Sequence, residues 1–475
     1  MSQTITIDPV TRLEGHGKIT IHLNEQGEVA DAHFHVTQVR GFERFSEGRP
    51  FYEMPALMAR ICGICPVSHL IASAKACESI MAVQIPHTAA QLRRMLNLAQ
   101  MVQSHALSFF YLSSPDLLLG MDTDPKTRNL FGVVAAKPEL GRAGVALRRF
   151  GQHIIELLGD KRIHPGWVIA GGVTEPLLAA KRDEILSMIP EAFANIKLAL
   201  KAYKEIADRF QNEIEVFANF PSLYLGLINE DESVEFTDGA LRLIDAEGKI
   251  VEDGITAEHF PEVIGEAVEP YSYTKFAYYK PLGYPAGSYR VGPLARLNIA
   301  RSMGTPLANA ELAEFKKLSQ GPVQGSFYYH YARLIDMLYG IEKIEQILAD
   351  PTILDTHVRA QAGVNRLEGT GQAEAPRGTL HHHYRVDDDG KITWANLVIA
   401  TGQNNNAMNR GVLTAAKAYI KDGKFAEGAL NRIEAVVRTF DPCLSCSTHA
   451  FGQMPLAVTL LAADGSVSDR LVRGA

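Results

Sequence analysis

Two cysteine pairs stand near opposite ends of this 475-residue chain: Cys62 and Cys65 in Arg60-Ile-Cys-Gly-Ile-Cys-Pro-Val-Ser-His69, and Cys443 and Cys446 in Asp441-Pro-Cys-Leu-Ser-Cys-Ser-Thr-His449. Each pair is a C-x-x-C with a histidine three or four positions further on. Residues three apart on a helical turn or tight loop face one point, so each pair can present two sulfurs together. Thiolates and imidazoles are the soft-to-intermediate donors that hold Zn, Ni, Cu(I) or Fe rather than Mg or Ca. A structural zinc site of four cysteines usually draws both pairs from one short segment, with roughly 15–20 residues between them. Here residues 66–442 intervene, which weighs against that reading without removing it.

The rest of the composition narrows the setting. A formal charge of −7 offers no basic surface for nucleic acid or membranes. Five cysteines, with only Cys77 outside the pairs, suit a reducing compartment. Cys77 reads as an inert buried helix residue. The N-terminal Met-Ser-Gln-Thr-Ile-Thr-Ile has neither a basic nor an apolar signal region. No run reaches the ~18 uninterrupted apolar residues of a membrane span.

Residues 3–38 alternate as strands around a turn at Asn24–Gly27. A helical stretch carrying the first cysteine pair follows, then a long helix after Pro86 with Thr88 as its expected cap. Thr174-Glu-Pro is expected to open a helical region to about Phe217, interrupted near Pro190. Residues 234–252 return to β and 306–349 read as helical. A hairpin spans Thr379–Thr401 around Asp387–Gly390, and helices at Ala407–Lys421 and Gly428–Val437 lead into the second pair. The fold class is mainly α with small β additions. His381-His-His383 lies in an alternating stretch and reads as exposed or core rather than as a metal cluster. Gly369-Thr-Gly371 fails the nucleotide-binding pattern and follows no clear strand.

Around both pairs the chain resembles the large subunit of nickel–iron hydrogenases, whose signatures are R-x-C-G-x-C-x-x-x-H and D-P-C-x-x-C-x-x-H. Ile7-Asp-Pro-Val-Thr-Arg-Leu-Glu14-Gly-His16, Arg40-Gly-Phe-Glu43 and Glu374-Ala-Pro-Arg377-Gly match further blocks. The resemblance runs from about residue 5 to the end. It is nearest to the cytoplasmic, bidirectional NAD(P)-linked subgroup, through stretches such as Tyr289–Leu297 and His449–Leu456. It implies one large-subunit domain over residues 1–449, a long helical bundle around a buried metal site. Residues 450–475 would be an extension cut off after His449 by a maturation endopeptidase, once metal-insertion chaperones have loaded the site.

The resemblance also implies roles. Cys62 and Cys443 would be terminal on Ni, with Cys65 and Cys446 bridging Ni to an Fe that carries CN and CO ligands. Splitting H₂ heterolytically needs a base at the metal, a part implied for Cys443, and a carboxylate to carry the proton away, a part implied for Glu14. Arg377 would stand beside the metal, held by Asp116 and Asp441, with Pro376 and Thr401 as neighbours of the cyanides. His69 would donate to a bridging sulfur. Glu43, the carbonyl of Leu397 and His449 would bind Mg as a second site. No cysteines remain for Fe–S clusters, and neither NAD nor FMN has a motif here. The implied partners are therefore a small Fe–S subunit, together with flavin-containing diaphorase subunits reducing NAD(P). A deazaflavin or heterodisulfide-linked acceptor is the alternative, and the quinone-site subunit of respiratory complex I, which lacks the cysteine quartet, is the non-catalytic one.

Overall fold

The computed structural model describes residues 3–448, 456–462, 464 and 466–473. Strands β1 (Gln3–Ile7), β2 (Gly17–Leu23) and β3 (Val29–Val36) form an antiparallel sheet in that order. Ile19, Ile21, Phe34 and Val36 line its buried face, so the period-2 reading holds. Helix α1 (Pro66–Met81) begins with proline at its first turn and ends at Ala82 in the left-handed conformation. All of it but Lys75 and Ser79 is buried, as expected for a helix apolar on every side.

Helix α2 (His87–Ala106) lies beside α1, but Thr88 does not cap it. The Thr88 hydroxyl donates to the carbonyl of Thr352 instead, a tertiary partner that outbids the local one. The chain then loosens into π-type turns over Leu107–Ser113 and Pro115–Leu119. After α3 (Pro138–Gly159), helix α4 starts at Ala179 rather than Thr174 and runs unbroken through Pro190 to Ala207. Proline removes one hydrogen bond there, yet buried Ile185, Ile189, Ala192 and Ile196 hold both halves on one face.

The fold is mainly α with β additions, as the sequence leads one to expect. Helix makes up about 49% of the chain and strand about 20%. Strand β4 (Leu223–Ile228), which the sequence reading missed, pairs with β5 (Ala240–Ile244) on one side and with Tyr289–Arg290, in parallel, on the other. Strand β6 (Ile250–Ile255) completes that sheet, which has its own apolar core around Leu225, Leu241 and Ile255. The expected helix over 306–349 is two, Pro306–Phe315 and α5 (Tyr329–Ala349). Between them the Asn298 side chain pairs with both the N–H and the carbonyl of Val323, substituting for helical partners.

Strands β7 (Glu368–Ala375), β8 (Gly378–Val386) and β9 (Ile392–Val398) form a second antiparallel sheet. The glycines that matched no nucleotide motif belong to β7. A Cβ on Gly371 would stand 2.2 Å from the Ala72 carbonyl oxygen, so α1 packs directly on the strand backbone. Helices α6 (Asn405–Tyr419) and α7 (Glu427–Phe440) then lead to the second cysteine pair. Strands β10 (Leu456–Leu461) and β11 (Val467–Arg473) pair as a hairpin. His449, and Ala463 and Gly465 of the expected turn, lie outside the described residues. No helix among the described residues is long and apolar enough to cross a membrane.

Candidate metal centre

The fold brings the two pairs together in its interior. The sulfurs of Cys62, Cys65, Cys443 and Cys446 lie within 4.8 Å of one another, all buried. Cys62 faces Cys443 at 3.4 Å and Cys65 faces Cys446 at 3.7 Å. The first pair does not sit in a helix: Cys62 is extended after a single turn at Ala59–Ile61, and Cys65 is the residue preceding α1. Backbone N–H groups of Ile64 and Cys65 donate to the Cys62 sulfur at 3.2 and 3.1 Å. Cys443 follows α7 by way of Asp441, whose φ of 54° turns the chain back. Its N–H donates to the Thr401 hydroxyl at 3.0 Å.

Burial alone would raise Cys62, yet hydrogen bonds from Cys443, Cys446 and Cys65 draw it well below the ordinary thiol range. Bonds from Cys443 and Cys446 bring Cys65 down to about 6. Burial keeps Cys443 and Cys446 above the usual value. Cys77 stays apart, inside α1, its thiol donating to the Phe51 carbonyl.

Arg377, on the turn between β7 and β8, lies fully buried at this site. Its Nε donates to the Asp441 carbonyl at 2.5 Å, and a terminal nitrogen lies 2.9 Å from the Asp441 carboxylate. Burial opposes its charge, but Asp441 and the sulfurs of Cys443, Cys65 and Cys62 outweigh burial and hold it charged. Asp116 is not its second acid. That carboxylate meets Arg12 at 2.5 Å and Arg438 at 2.8 Å, and burial is outweighed there too, so it stays ionised below the usual range. Asp116 lies in the second π-type turn, and Ser104 of α2 accepts from Arg377 at 3.3 Å instead. Pro376 is buried, and its carbonyl is 3.4 Å from Arg296, a residue the sequence reading missed. Arg296 is wholly buried between Asp336 and Glu374.

Glu14 reaches the second pair along the backbone. It forms a parallel bridge with Cys443, its carbonyl accepts from Leu444 N–H at 3.1 Å, and its carboxylate accepts from Ser445 N–H at 3.0 Å. Gly15 makes this approach possible: at φ 92°, a Cβ there would lie 2.7 Å from the Leu444 Cβ. His69 meets His382 at 3.3 Å rather than a sulfur. His381 stacks on Phe260 and bonds the Ala257 carbonyl, while His383 pairs with Glu368, so the three histidines do not converge. His164, also missed, bonds the Cys62 carbonyl at 3.0 Å.

Glu43 accepts from Lys275 and from the Leu397 N–H, each at 2.8 Å. Lys275 also contacts Asn396 at 2.7 Å and Glu266 at 3.2 Å. Two carboxylates against one ammonium leave a surplus negative charge, and the hard oxygens suit a divalent ion. The Leu397 group facing Glu43 is its N–H, not the expected carbonyl.

A buried cysteine quartet closed by both ends of a mainly helical chain defines the class. The family described as nickel-dependent hydrogenase matches residues 40–126 and 145–449, and one described as HoxL-like matches 4–39. The chain belongs to the nickel-dependent hydrogenase family, and its quartet is the donor set of a Ni–Fe centre. It is 40% identical, over the whole of both chains, to the NAD-reducing hydrogenase HoxS subunit beta of Cupriavidus necator. It is 41% identical to a vhc F420-non-reducing hydrogenase chain of Methanococcus voltae, over 97% of this chain and 98% of that one. Among solved structures, an NAD⁺-reducing [NiFe]-hydrogenase in the H₂-reduced state superposes with a TM-score of 0.91 at 43% identity, covering 94% of this chain and 99% of that one.

Proposed function

We propose that this chain is the hydrogen-activating subunit of a multi-subunit, NAD(P)-linked [NiFe] hydrogenase that cleaves H₂ reversibly and heterolytically. The observation that carries the reading is the buried quartet with Arg377 on one side and Glu14 joined to Cys443 on the other. Cys62, Cys65, Cys443 and Cys446 would hold the Ni–Fe centre, whose iron would carry CN and CO ligands. When bound, the metal pair supplies the electron-accepting centre at which H₂ is polarised. Cys443 takes the proton, and Glu14, hydrogen-bonded two residues further on, carries it outward. Arg377 keeps a fixed positive fork over the site, with Asp441 preventing its rotation and Thr401 fixing the Cys443 backbone. Pro376 lies buried beside Arg377, and His69 steadies α1 behind Cys65 through His382.

Glu43 and His449 would hold Mg, which the surplus carboxylate charge beside Lys275 supports. All four paired cysteines are engaged and Cys77 is buried in α1, so electrons leave through a small Fe–S subunit, then a flavin-bearing diaphorase, in the cytoplasm. Equimolar Ni and Fe with H₂-dependent reduction of NAD⁺ or NADP⁺ by the intact complex is the expected result; Zn alone would sink the reading. The likeness to the Methanococcus voltae chain supports a second reading, the same H₂ chemistry with a deazaflavin or heterodisulfide-linked acceptor. The two separate on which acceptor the complex reduces.

Residues 450–475 are proposed to be removed by an endopeptidase after His449, following metal insertion by chaperones. The nickel-dependent hydrogenase match ending at residue 449 supports this cut. Intact mass of the active subunit should end at His449; a chain ending at Ala475 would overturn the processing.

A further inference from the structure

The segment that carries Glu14 is gripped three residues upstream by the helix that delivers Cys443. The Thr11 N–H and hydroxyl donate to the two carboxylate oxygens of Glu434 at 3.2 and 2.8 Å. Arg438, one helical turn on, donates through Nε to the Thr11 carbonyl at 3.1 Å and pairs with Glu434 and with Asp116. Arg12 closes the ring, reaching Asp116 at 2.5 Å, Asn431 at 3.1 Å and the Leu112 carbonyl at 2.9 Å. Arg438, Asp116 and Asn431 are each 2% exposed.

Two physical points separate this cluster from ordinary packing. Arg12 holds φ at 55°, a region that a long side chain occupies only where its surroundings over-determine it. That bend directs residues 13–14 toward Cys443. Buried ion pairs also add little net stability over apolar packing of the same volume; their strength is in fixing one geometry. Here the geometry fixed is the spacing between the ends of α7 and of residues 11–14.

We propose that Arg438, with Glu434 and Asp116, is a positioning element for Glu14. One helix sets both ends of the proton's first step: its last two turns clamp residues 11–12, and three residues past its end it presents Cys443. None of these groups touches the reacting atoms. The inference rests on Glu14 being the relay.

The test uses the intact complex with Glu434→Gln, Thr11→Val, Thr11→Ser and Glu14→Gln. Glu434→Gln is expected to leave Ni and Fe content and the infrared bands of the diatomic ligands unchanged, while amide hydrogen exchange across residues 9–16 accelerates. Turnover should fall on the order of 10-fold, since small misplacements of a reacting group cost at least that, with a larger solvent deuterium isotope effect. Thr11→Val, at an exposed position that spares folding, should shift the same readouts in the same direction, and Thr11→Ser should restore them. Faster exchange at 9–16 with unchanged turnover and isotope effect would reduce the cluster to a structural tie and overturn the proposal. Unchanged exchange in both variants would overturn it as well. Normal turnover in Glu14→Gln would remove the relay reading itself, an outcome distinct from failure of the clamp.

Discussion

The two cysteine pairs share a motif but are held by different means. Cys65 directly precedes a 16-residue helix that lies on the glycine backbone of β7, with Cys62 extended just before it, so the packing of that helix places them. Cys443 and Cys446 sit on a short connection with a four-residue turn, and their placement comes from single long-range ties. Thr401 takes the Cys443 N–H, Glu14 takes those of Leu444 and Ser445, and Arg377 takes the Asp441 carbonyl. A pair that adjoins the N-terminal end of a helix is placed when that helix packs. A pair held by groups from residues 14, 377 and 401 is placed only when those elements are in position.

Three changes break or sharpen that contrast. The largest effect is expected from Cys443→Ser, because a hydroxyl is a poor soft-metal ligand and a poor proton acceptor. H₂ turnover should vanish, with nickel lost on metal analysis; a variant that keeps both would sever the second pair from the chemistry. Next is Arg377→Lys, which keeps the charge but loses the fork that grips Asp441. A fall of at least ~10²-fold in rate is expected, with metal content and melting temperature near normal, since positioned charge contributes on that scale. Near-normal turnover would show that the fork does not matter. The smallest is Gly371→Ala. The added methyl meets the Ala72 carbonyl and must push α1 off its strand, at a cost of about 1–3 kcal/mol. Here stability and nickel loading should fall together, the opposite signature to Arg377→Lys. A full melting temperature would mean that the first pair does not depend on this packing.

The two cysteine pairs were legible because soft-metal ligation restricts residue type and spacing over a few positions, whereas Glu14, Glu43 and Arg377 stood out only through the blocks that resemble the family. Asp116 was misread for the same reason that it looked attractive. Sequence puts it after a helix pointing at the site, and only the π-type turns show that it faces Arg12 and Arg438. Lys275 and His164 gave no local signal, since each acts through a partner far along the chain; Ser104 and Arg296 lie in stretches that resemble the family, but nothing local marked their partners.

The sequence by itself determined the donor set, the alternating N-terminal strands and the helices that flank both pairs, because ligand chemistry and hydrophobic period are local properties. Only the tertiary structure decided which acid holds Arg377, that Pro190 continues its helix, and that β7 is a strand without a side-chain pattern. Those outcomes depend on what the rest of the chain packs against each segment: a buried carboxylate takes the nearest guanidinium in space, and a glycine strand is stabilised by the helix that covers it.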